Sequence, residues 1–88
     1  MINKSAYVVA NHHQEQEVFQ HLENKRYLWA CDIASPTQKL PSQDADINAS
    51  FPYIVIENEN RTISWREIIW LDRYQLIYDG RQANIDNC

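Results

Sequence analysis

Three histidines, two cysteines and twelve carboxylates are the residues of this 88-residue chain that could ligate a metal or carry a proton. His12 and His13 are adjacent, so on a helix their side chains diverge by about 100° and cannot easily share an ion; metal-binding pairs want i, i+4 spacing. His21 lies two turns further along and no carboxylate or cysteine completes a set with it. Asp44-Ala45-Asp46-Ile47-Asn48 imitates the opening of a calcium loop, but the sixth position is Ala49 and the twelfth is Val55. A calcium loop needs glycine and a bidentate glutamate at those places. Serine, histidine and aspartate occur in no nucleophile motif, and one glycine nearly forbids a phosphate cradle. The residues predict no enzyme, no metal and no cofactor.

A second set, the rings and arginines, points to contact chemistry. Tyr27, Trp29, Tyr53, Trp65, Trp70, Tyr74 and Tyr78 exceed what so small a core can hold, and Arg61, Arg66 and Arg73 sit among them. Aromatic rings mixed with arginine are the composition of an interface hot spot. The same mixture can stack a base and pair its phosphates, with Arg61, Arg66, Arg73, Tyr53 and Tyr78 as the ligand-binding set. It also suits rings that finish a thin core, or a dimer interface. Acidic residues Asp32, Asp44, Asp46, Glu57 and Glu59, with Trp70 and Tyr74 as anchors, form the expected partner-binding set. Glu57 and Glu59 flank a hairpin turn and read as exposed.

Composition narrows the partner. Eight Lys and Arg against twelve Asp and Glu leave a net charge of −4 and no basic run. Phosphate neutralisation supplies most nonspecific nucleic-acid affinity, so direct nucleic-acid binding is not expected, and a basic protein surface is the natural complement. No stretch approaches a membrane span and the first residues lack the apolar run of a signal peptide, so a cytoplasmic protein is expected. In that setting Cys31 and Cys88 read as free thiols.

Elements must position these residues. Tyr7-Val8-Val9-Ala10 reads as a buried strand. Asn11 with Gln14 forms a capping-box pattern that starts a helix over 12–25, with Val18, Phe19 and Leu22 inward and Gln14, Glu17 and Asn24 toward water. Tyr27 to Cys31 reads as the second strand. Residues 33–50 form a polar loop, long enough to be either functional or mobile. Tyr53-Ile54-Val55-Ile56 and Arg61 to Trp65 form a hairpin around Asn58-Glu59-Asn60, whose asparagines tolerate positive φ. Ser64 and Glu67 suggest a second capping box and a short helix over Trp65–Asp72, although a continuing strand is also compatible. Tyr74 to Tyr78 is a last strand, Asp79-Gly80 a turn, and residues 81–88 a polar tail. The order β-α-β-loop-β-β-α-β predicts one α+β two-layer domain over residues 1–88, a mainly antiparallel sheet of four or five strands with two helices.

Leu22-Glu23-Asn24-Lys25-Arg26-Tyr27-Leu28-Trp29, followed by Tyr53-Ile54-Val55-Ile56 and Thr62-Ile63-Ser64-Trp65, resembles a group of small phage-encoded α/β proteins. Their motif is Leu-Glu-x-x-Gly-Tyr-x-Trp with a later Ile-rich strand pair. Arg26 stands at the glycine position, which implies a different turn. Some members look like the anti-defence sponges that sequester cyclic ADP-ribose signals of Thoeris systems. The resemblance implies a phage or mobile-element origin. The expected function is a non-enzymatic inhibitor that occupies a host defence protein, for example a CRISPR effector. The alternatives are a cyclic-nucleotide or ADP-ribose sponge and a homodimeric structural protein.

Overall fold

The computed structural model describes residues 4–30 and 34–85. Five strands form one sheet in the order β2-β4-β3-β1-β5. They are β1 (Ser5–Val9), β2 (Leu28–Trp29), β3 (Tyr53–Glu57), β4 (Thr62–Glu67) and β5 (Gln75–Asp79). The helices are α1 (His12–Asn24) and α2 (Gly80–Ile85). The α+β class follows from this order. The two central pairings, β1 with β3 and β3 with β4, are antiparallel, whereas β5 on β1 and β2 on β4 are parallel. Only β3 therefore runs against the other four strands.

The apolar strands are buried for the reason their composition suggests: both faces of the sheet centre are covered. On one face Tyr7, Val9, Tyr53, Val55 and Ile63 meet Val18, Phe19 and Leu22 of α1 and Trp29 of β2. Phe19 and Trp29 pack edge to face with ring centroids 5.5 Å apart. Fully burying side chains of this kind stabilises by about 2 kcal/mol each. On the opposite face Val8, Ile54 and Ile56 lie beneath Ile68, Leu71 and Tyr74.

α1 starts where the cap predicts, with Asn11 Oδ1 accepting the Gln14 N–H at 2.9 Å. Gln14 does not face water. Its amide oxygen accepts the Ala10 N–H at 2.8 Å and its NH₂ donates to Gly80 O at 2.9 Å, stitching α1 to the start of α2. Side chains in a helix lean toward its N-terminus, which aims this residue back across the first turn. At the other end Arg26 adopts φ 67°, with its N–H on Glu23 O and the Tyr27 N–H on Leu22 O. That is the Schellman turn usually built by glycine, so the expected different turn is not needed; arginine takes the left-handed conformation itself.

Four further elements depart from expectation. The second strand is only Leu28–Trp29 in length; Cys31, with Asp32, lies outside the described residues. In the hairpin the positive φ falls on Arg61 (59°) rather than on an asparagine. β4 continues through Glu67 and is followed by a 3₁₀ turn, Ile68–Arg73, in place of a helix from Trp65. Ser64 is not a cap, because its hydroxyl accepts from Asn58 Nδ2 at 3.0 Å and its backbone pairs with Ile56. Gly80 opens α2, where a polar tail was expected.

Candidate interaction surface

The long segment after β2 is pinned to the helix face rather than loose. Pro36–Gln38 form a 3₁₀ turn, and Pro36 O accepts the Trp29 indole N–H at 3.3 Å. Thr37 donates to Glu23 from both its backbone N–H (3.2 Å) and its hydroxyl (2.5 Å). Leu40, Ile47 and Phe51 pack against the core, and Pro41 and Ala49 are buried.

Its anchor is Glu15, a carboxylate with no exposed surface. Glu15 accepts from Tyr53 Oη (2.5 Å), Ser42 Oγ (2.6 Å) and the Ser42 N–H (3.1 Å), while His12 Nδ1 stands 3.5 Å away. Burial of a polar group is tolerated when its hydrogen-bonding capacity is satisfied in this way. Burial, then the bond to Glu15, pushes the Tyr53 phenol far above its ordinary range. Ser42, His12 and Glu15 do not form a relay. Ser42 Oγ donates its hydrogen bond directly to the carboxylate, and the same imidazole nitrogen faces both groups, at 3.3 Å from the hydroxyl. A nucleophile would need the base between serine and acid.

Glu57 is likewise drawn inward. It accepts from Tyr7 Oη at 2.6 Å and from Tyr27 Oη at 3.5 Å. Burial, then the hydrogen bond to Glu57, raises the Tyr7 phenol; burial and the charge of Glu57 raise Tyr27. Glu57 is therefore half-buried with both oxygens engaged, rather than the freely exposed carboxylate expected.

The other expected residues scatter. Asp44 Oδ1 accepts the Asp46 and Ile47 N–H groups and shapes its own turn, leaving Asp46 exposed beside it. Glu59 stands alone at the hairpin tip, and Asp32 lies outside the described residues. Trp70 is 39% exposed with the Arg73 guanidinium 4.6 Å from its ring centroid. Tyr74 is partly buried and packs over Val8, Ile54 and Ile56. The nucleotide set does not assemble either. Tyr53 is 1% exposed with its hydroxyl engaged, so it has no free face for a base. Arg61 donates to Lys25 O, Arg66 to Trp65 O, and Arg73 covers Trp70; Tyr78 packs on the helix-side core. Among the described residues no three His, Cys, Asp or Glu gather as a metal site, and no helix is long and apolar enough to cross a membrane.

What the structure does leave open is a set of large apolar side chains. Among the described residues Ile69, Trp70, Leu76 and Ile77 are four of the five large apolar side chains left open, Leu28 being the fifth. The 3₁₀ turn causes this: Ile68 and Leu71 turn onto the sheet while Ile69 and Trp70 turn away. On β5 the pairing register shifts between Ala6 and Tyr7, so that Leu76 pairs with Ala6 and Tyr78 with Tyr7; Ile77 is the extra residue and remains half open. Alternation alone reads this strand as ordinary, so only the length of β4 and the shift could have revealed the patch.

A groove adjoins it, between residues 47–52 and the end of β4. Its volume is about 460 Å³, and Phe51, Tyr53, Trp65, Glu67 and Ile69 are among its lining residues. Phe51 stacks on Tyr53 at 5.7 Å and Trp65 meets Tyr53 edge-on at 6.0 Å. Comparison with protein-family models, curated proteins and solved structures finds no match to this chain.

Proposed function

We propose that this protein is a non-enzymatic binding protein that acts by occupying the surface of another macromolecule. The observation that carries the reading is that Ile69, Trp70, Leu76 and Ile77 are all left open, on a chain of net charge −4. These four side chains lie on the 3₁₀ turn and on the edge strand that follows it, and contiguous exposed apolar surface marks contact sites. The net negative charge then favours a basic partner and speeds encounter more than it adds affinity. The partner class suggested by the phage-like sequence features is a bacterial defence protein, such as a CRISPR effector, whose function would be blocked by coverage.

The test is capture with paired baits. Immobilised wild-type protein and a Trp70→Ala/Ile77→Asp variant are exposed to extract from a bacterial host carrying such a system, and captured proteins are compared by mass spectrometry. A partner retained by the wild type and lost with the variant, whose purified form then loses activity on adding the wild type, is the expected result. Identical capture by both baits overturns the role of the patch.

A further inference from the structure

Resting on the binding role proposed above, we infer that the groove between residues 47–52 and the end of β4 receives an arginine side chain of the partner, with a neighbouring apolar residue laid on Ile69. Trp65 and Glu67 are two apart on β4, which places them on one face of the strand about 7 Å from each other along it. A half-buried indole and an exposed carboxylate at that spacing match the two needs of a guanidinium. Its plane is attracted to an aromatic face, and its N–H groups bond a carboxylate in pairs. Lysine offers a point charge without the plane, so arginine fits better.

Nothing in the described chain meets the demand internally. Among the described residues no cation pairs with Glu67: Arg66 turns to Trp65 O, and Arg73 lies over Trp70. The walls are firm, since Phe51 is held against Tyr53 and Tyr53 is tied to Glu15. Ile69 is 74% exposed at the rim, the most open of the exposed large apolar side chains. An acidic, ring-lined slot bordered by an open isoleucine is complementary to a basic-apolar pair of side chains.

The probe is the peptide acetyl-Ile-Arg-Ile-amide, titrated into the whole ¹⁵N-labelled protein, beside the same peptide carrying citrulline in place of arginine. Citrulline keeps the shape and removes the charge. The expected result is saturable shifts of the Trp65 indole N–H and of the Glu67 and Ile69 amides, with affinity at least fivefold weaker for citrulline. Glu67→Gln, at an exposed site without a partner, should fold normally and weaken the arginine peptide by a similar factor. Absence of these shifts, equal response to both peptides, or an unchanged affinity in Glu67→Gln overturns the assignment. The two readings fail separately: patch-dependent capture with a silent groove sinks the arginine site alone, whereas identical capture by both baits overturns the exposed residues as the contact surface whatever the groove does.

Discussion

The two faces of this sheet handle their polar and apolar groups in opposite ways. On the α1 side even the awkward groups are enclosed: Glu15 is completely buried with three donated hydrogen bonds, and Glu57 takes two tyrosine hydroxyls. On the other side easily buried groups are left out: Ile69 and Trp70 point away from the sheet while Ile68 and Leu71 cover it. Satisfying a buried carboxylate so fully fixes geometry, and leaving isoleucine in water does not stabilise the free chain. The first face thus specifies the fold and carries the groove only at its margin, whereas the second leaves Ile69 and Trp70 open for contact.

The largest effect expected from breaking this division is Glu15→Ala. It strips the Tyr53 and Ser42 donors of their acceptor in a closed site, and a loss of about 3 kcal/mol is expected in urea unfolding. Gly80→Ala comes next. A methyl group there would meet Gln14 and lie 2.7 Å from Val8 O, a backbone atom that cannot swing aside. Overpacking of this kind costs about 2 kcal/mol, read from the same unfolding curves.

Alkaline pH probes the enclosed tyrosines. Folded-state values for Tyr7 and Tyr53 are raised above the ordinary 10.0. Above that pH the unfolded chain releases phenol protons that the folded chain retains, so stability is fully present below pH 10 and falls as pH rises. The slope should approach about 1.4 kcal/mol per pH unit for each tyrosine, and Tyr53→Phe should reduce it. The smallest effect belongs to the other face: Ile69→Ser should change stability by less than about 0.5 kcal/mol while abolishing partner capture. A large loss of stability there would erase the contrast between the two faces.

Legibility in the sequence followed the same divide. Strand and helix positions in the core were readable because Val18, Phe19 and Leu22 carry helical period and residues 53–56 a continuous apolar run. The end of α1 was readable too, though arginine in place of glycine disguised a turn of the usual kind. The Glu15 site was not readable, since its partners Ser42 and Tyr53 are remote in sequence and a glutamate in a first helical turn looks like dipole complement. The segment 33–50 looked loose because its anchors are side chains of α1. The exposed patch was hidden because nothing in the string Ile68-Ile69-Trp70-Leu71 says which pair faces inward. A capping pattern at Ser64 and Glu67 competed with strand propensity and lost to pairing with β3.

The parallel pairing of β5 on β1 has a consequence for assembly. Ser5 aligns with Gln75, so an early strand finds one neighbour only when a late strand arrives. Its other neighbour, β3, also comes from well along the chain, with Val9 opposite Tyr53. During synthesis the first strand therefore emerges with neither flank occupied, and closure of the sheet is a late, long-range event. Nascent chains halted before residue 75 should expose β1 to chaperones, and release should follow completion of β5.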